Sequence, residues 1–157
     1  MTDPVGESDA LSAAERAVGL SRWSEALELL DGDPVASAGS TGLELRAEAA
    51  YGAGDPEGAI AAWEASYQLH LDASEHGAAA RAAAMVAMYL MIDTGLMAPI
   101  RAWLRRAERL AQDGVETPVH AVVAMVRTYE RLWCGDMEGA GANADRAIEL
   151  GQRHGFA

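Results

Sequence analysis

A chain of 157 residues with 50% hydrophobic content is long enough to bury a sizeable core as about one domain, so nothing in it needs a disulfide to fold. The single cysteine, Cys134, excludes a disulfide framework and four-cysteine zinc sites, and the lack of lysine excludes a Walker phosphate loop. The net charge of -12 is uneven: residues 1–80 carry fifteen acids against three arginines, residues 81–157 nine of each, and an acidic domain is repelled by a nucleic acid surface.

In chain order, the opening MTDPVGESDA is acidic and polar, which predicts a disordered tail over 1–7 and no signal peptide. Beyond it, aromatics are only 6%, much of the apolar content is alanine, and Val, Ile and Thr never alternate between hairpin turns. Alanine is the best helix former, so the chain reads as all-α. Eight helices are expected, near 8–20, 22–31, 41–53, 56–75, 78–94, 98–112, 118–134 and 137–153. The longest apolar stretch, AAAMVAMYLMI from Ala82 to Ile92, falls short of the roughly 18 residues a membrane span needs. Together with the cysteine count this predicts a soluble, cytoplasmic protein with no membrane partner.

The helices pair through an internal repeat. GDPEGAIAAW from Gly54, GLMAPIRAWL from Gly95 and GDMEGAGANA from Gly135 each open on glycine, with Ala59, Ile100 or Ala140 five residues on. A weaker copy, SRWSEALELL from Ser21, has Ala26 in that place, and the four starts lie 33, 41 and 40 residues apart. Glycine ends the first helix of a pair in the left-handed conformation, and Asp55 or Asp136 caps the second. Ala59, Trp63 and Ser66 then share one face, as do Ile100, Leu104 and Ala107, and Ala140, Ala144 and Ala147. Residues 8–157 thus read as a single domain of four helical hairpins, near 8–31, 41–75, 78–112 and 118–153.

In RAWLRRAERL, residues 101–110, Trp103, Leu104, Ala107 and Leu110 continue the apolar stripe that Ile100 begins. Arg101, Arg105, Arg106 and Arg109 are left as a solvated outer face, with Glu108 pairing to Arg105 at i,i+3.

This repeat resembles the tetratricopeptide repeat, and implies an α-solenoid of about four hairpins. The segments AWEASYQLHLDASEHGAAARAA, IRAWLRRAERL and ADRAIELGQRHG are further similar to the helical region of large actinobacterial LuxR-type transcriptional regulators. The resemblance implies a role in transcription regulation. In that family a helix-turn-helix domain lies C-terminal to the repeats. No such motif occurs here, so no direct nucleic acid contact is implied for these residues. The segment is either one portion of a regulator or a stand-alone adaptor with the same fold.

Catalytic signatures are missing: there is no G-x-G-x-x-G and no G-x-S-x-G. His70 and His76 are off the i,i+4 spacing of a helical metal pair, His120 and His154 are isolated, and Cys134 reads as a packing residue at a helix end. No enzyme, metal or cofactor is expected. The first helix of each hairpin lines the concave face of such a solenoid. Its acidic part holds Glu15, Glu44 and Glu48 beside Leu11, Val18 and Tyr51; Met85, Tyr89, Ile92, Met125, Tyr129 and Leu132 follow, with Trp133 nearby. Methionine and tyrosine suit an adaptable peptide groove. Helix 78–94 is apolar nearly all round, however, which also fits simple burial.

Non-enzymatic binding of a peptide or protein partner through Tyr51, Met85, Tyr89, Ile92, Met125, Tyr129, Leu132 and Trp133 is the leading expectation. The alternative is a small-molecule effector pocket of Met85, Tyr89, Met125, Tyr129 and Trp133. The last helix, with Ala140, Ala144, Ala147, Ile148 and Leu150, has no successor to cover it, which predicts a homodimer.

Overall fold

The computed structural model describes residues 5–111 and 116–155, which form nine helices and no strand. They are α1 (Val5–Gly19), α2 (Trp23–Gly32), α3 (Pro34–Ala38), α4 (Ser40–Gly52), α5 (Pro56–Asp72), α6 (His76–Asp93), α7 (Met97–Leu110), α8 (Pro118–Trp133) and α9 (Met137–Arg153). Residues 5–7 of the expected tail are helical. Residues 1–4, and residue 112 of the expected sixth helix, lie outside the described residues. The expected count of eight is corrected by α3. There Asp33 accepts a hydrogen bond from the Ala36 amide at 3.1 Å and Pro34 occupies the first turn, where its missing N–H costs nothing. Among the described residues no helix is long and apolar enough to cross a membrane.

One turn recurs through the chain. Gly54 and Gly135 have positive φ, +85° and +78°, and so do two serines: Ser21 at 57°, which opens the weaker repeat copy, and Ser74 at 60°, inside the expected helix 56–75. At each of the four, this residue's amide donates to the carbonyl three back, and the next amide to the carbonyl five before it, as in Asp55 N to Ala50 O at 2.8 Å. Gly95, at φ +63°, ends α6 differently: its amide reaches Leu90 O, and Thr94 Oγ1 caps the Leu96 amide. Asp55 and Asp136 then accept from the amides of Gly58 and Gly139, both at 2.9 Å. Five residues beyond each turn start sits a fully buried small or apolar side chain: Ala26, Ala59, Ala79, Ile100 and Ala140.

The chain divides into two compact units, Met1–Ser66 and Tyr67–Ala157. In the first, Ala14, Ala17, Ala26, Leu30, Leu45 and Ala49 form the core of α1, α2 and α4, with Trp23 packed against it. Arg46 on α4 braces this arrangement by donating to Asp31 at 2.7 Å and to Ser37 Oγ at 2.9 Å. In the second, alanines 83, 84 and 87 bring α6 close to α7 and α8, around Met91, Ile100, Leu104, Ala107, Val123 and Val126. Tyr67 meets Trp103 edge-on with ring centroids 5.1 Å apart, and the Arg106 guanidinium lies 4.5 Å above the Trp103 ring.

Candidate functional site

Two helices of the second unit, α6 and α8, leave an apolar cleft between them. It holds about 310 Å³ and is lined by Met88, Met91 and Ile92 from α6 and by Tyr129 and Trp133 from α8. The lining is unusually open for such side chains: Trp133 is 65% and Ile92 57% exposed. The Trp133 ring lies beside the Gly95 turn, about 3.7 Å from where a Cβ would stand there. The fold thus places a large aromatic face on the surface without a side chain to cover it. Exposed aromatic and aliphatic side chains over a floor of half-buried Met88 and buried Met91 are what binding grooves present.

The sequence expectation overlaps this cleft in part. Ile92, Tyr129 and Trp133 meet there, and Leu132 is exposed nearby on α8. Tyr89 does not line it. It is 8% exposed, because the alanine-rich α6 is buried on most of its circumference. Met85 is half-buried. Met125 faces a different cleft, between α8 and α9. Tyr51 is exposed on α4, in the first unit. Met88 and Met91 were missed because the spacing from Met85 to Tyr89 and Ile92 selected the neighbouring helical stripe.

The polar centre of the unit was also missed. Glu130 on α8 is buried, yet its Oε1 accepts from Arg101 Nε at 2.8 Å and its Oε2 from Arg127 Nη1 at 3.3 Å. Arg127 in turn donates to Glu108. Arg101 is therefore no solvated bystander, and Glu108 takes Arg127 rather than the expected Arg105. The i,i+3 geometry within α7 lost to a partner on α8 that also satisfies a buried carboxylate. Burial opposes the charge on Glu130, but the hydrogen bonds from Arg101 and then Arg127 outweigh it and hold the carboxyl below the ordinary range. Glu130, with Cys134 beside it, raises the Arg101 guanidinium in turn.

Cys134, expected as a packing residue at a helix end, is exposed at the end of α8, where its sulfur accepts from Arg101 Nη2 at 3.1 Å. The histidines have local duties. His70 is buried with Nδ1 2.6 Å from Glu75, and His120 accepts from the Thr117 amide in a capping box that starts α8. Among the described residues no three His, Cys, Asp or Glu side chains are grouped to hold a metal ion. Comparisons with protein-family models, with curated proteins and with solved structures gave no match. The apolar cleft and the Glu130 network lie on the same helix with different chemistry. The network is saturated with internal partners; the cleft is not.

Proposed function

We propose that this chain is a non-enzymatic interaction module of tetratricopeptide-like helical hairpins that holds an apolar peptide segment of a partner protein in the cleft between α6 and α8. The observation that carries the reading is the exposure of Trp133, Tyr129 and Ile92 around a cleft floored by Met88 and Met91. Aromatic residues and methionine supply binding energy with adaptable shape, as hot spots on protein surfaces do. The regular hairpin turns support the solenoid reading, and the resemblance to LuxR-type regulators suggests the sensory part of such a regulator as its setting. Tyr51 and Met125 stand outside the proposed site.

The small-molecule alternative has less support, because a pocket of Met85, Tyr89 and Met125 would need side chains that are half-buried, buried and turned to another cleft, respectively. Selection from a displayed peptide library tests the proposal. Enriched apolar peptides are expected to bind the protein and to lose at least about tenfold in affinity on Trp133→Ala or Ile92→Glu, with the helical circular dichroism unchanged. Binding that survives both changes would place the partner surface elsewhere.

A further inference from the structure

The α6–α8 cleft is short. Met88 and Ile92 on one wall, and Tyr129 and Trp133 on the other, are each four residues apart, so the lining runs along about one helical turn, roughly 6 Å. Such a cleft seats one bulky side chain of a bound segment, and the segment's backbone has to cross the rim. Beside Trp133 that rim is the turn ending α6. Thr94 Oγ1 fixes the turn, donating to Leu90 O at 2.8 Å and accepting from the Leu96 amide at 3.2 Å.

Gly95, in this turn, leaves a gap against the indole. A Cβ there would stand 3.7 Å from both Cζ2 and Nε1 of Trp133 and 3.9 Å from Cε2, the atom that joins them. Because the joining atom is the farthest of the three, the gap lies off the edge of the ring that carries the N–H and not over its face. Backbone conformation alone does not call for glycine at this place: Gly95 has φ +63°, and the chain seats serine at 57° and 60° in Ser21 and Ser74. Trp133 Nε1 can only donate, and among the described residues nothing accepts from it. An exposed indole with an unused N–H is the kind of side chain that anchors partners at protein surfaces.

We infer, on the reading of the α6–α8 cleft as a peptide site, that the gap at Gly95 is its second subsite, in which Trp133 Nε1–H donates a hydrogen bond to a backbone carbonyl of the bound segment. The cleft reads an apolar side chain, and the gap reads the main chain beside it. A carbonyl oxygen there lies about 2.9 Å from Nε1, in space that a side chain at position 95 enters. Gly95 is thereby a specificity-determining residue: it keeps the N–H edge of the indole open to the partner.

Two small probes test this on the whole chain: N-acetyl-phenylalaninamide, which carries an aromatic side chain between two carbonyls, and toluene, which carries the ring alone. Heteronuclear NMR follows the methyl signals of Met88 and Met91 and the indole N–H signal of Trp133, the last assigned by its loss in Trp133→Phe. Both probes are expected to shift the methionine methyls, whereas only the amide should move the indole N–H downfield and slow its exchange with water. Gly95→Ser should weaken the amide about fivefold, the worth of one hydrogen bond, and leave toluene unchanged. If Gly95→Ser loses helical circular dichroism, Gly95→Asn, whose side chain tolerates the left-handed region, takes its place. An amide that shifts the methyls but not the indole N–H, that binds the position-95 variant as well as the parent, or that is weakened there no more than toluene overturns the subsite and leaves the cleft standing. Methionine methyls that neither probe moves overturn the cleft itself, and the subsite with it.

Discussion

Arg101 Nε donates to Glu130 Oε1 at 2.8 Å, joining the outer face of α7 to the interior of α8. The two partners differ in burial: the Glu130 side chain is almost wholly enclosed, while that of Arg101 is about half in water. Removing the enclosed member is therefore the more damaging change. Glu130→Ala should cost about 2 kcal/mol, less than a fully buried pair because Arg101 can turn to water and Arg127 keeps Glu108. Arg101→Ala should lower the urea midpoint clearly less, since its charge is already solvated and Arg127 still holds Glu130. Urea unfolding of both variants reads the difference, and equal losses would mean that the network is not anchored on Glu130.

The same geometry sets a pH dependence. Glu130 is held below its ordinary value of 4.5, and Asp136 below 3.8, the latter by the Gly139 amide first and then Arg131. A carboxyl lowered in the folded state contributes stability that is fully present above its unfolded value and is lost as pH falls through its folded one. The urea midpoint should hold between pH 7 and about pH 5 and then fall toward pH 3, with a shallower fall in Glu130→Gln. A midpoint in Glu130→Gln that falls as steeply as in the parent would remove Glu130 from this linkage.

At the turns, glycine and serine make opposite predictions. Gly54 and Gly135 have positive φ with open space where a methyl group would stand, so alanine there meets only backbone strain. Each substitution should cost about 1–2 kcal/mol. Ser21 and Ser74 already bear that strain, and Ser21→Gly and Ser74→Gly should each raise stability by about 0.5–1 kcal/mol. Thermal melts of the four variants should show two falling and two rising.

Gly52 is a different case, since its lack of a side chain is filled by a neighbour. A Cβ at this position would lie 2.3 Å from Trp23 Cδ2, within the packing of α2 on α4. Gly52→Ala should displace the indole and cost about 1–3 kcal/mol, with a change in near-ultraviolet circular dichroism that Gly54→Ala does not produce.

These residues also mark what was legible in the sequence. Helix positions and turn glycines could be read because alanine content, the glycines at 54, 95 and 135 and the aspartates after two of them are local signals, each acting within a few residues. Buried positions five residues past a turn followed from the same periodicity. Ser21 was placed at a turn by its position in the repeat, but Ser74 fell inside the expected helix 56–75, since serine seldom takes a positive φ and does not by itself mark a turn. The Arg101–Glu130 contact spans 29 residues, and nothing in either helix alone marks Glu130 as an acid to be buried. In α6 the difficulty was rotational: with alanine on every face, a shift of one residue decides whether Tyr89 or Met88 meets the cleft.

That rotation makes the last prediction specific. Met88 and Tyr89 are adjacent in sequence, but Met88 lines the α6–α8 cleft and Tyr89 is buried. Tyr89→Ala should cost about 3 kcal/mol of stability through lost packing. Its peptide affinity, measured on the folded fraction, should stay near that of the parent. Met88→Ala should cost about 1 kcal/mol, since the side chain is only partly buried, and should weaken peptide capture severalfold. Paired measurements of urea midpoint and affinity would separate the two roles. If Tyr89→Ala abolished capture while leaving stability intact, the stripe of Met85, Tyr89 and Ile92 would be the binding face and the cleft assignment would be wrong.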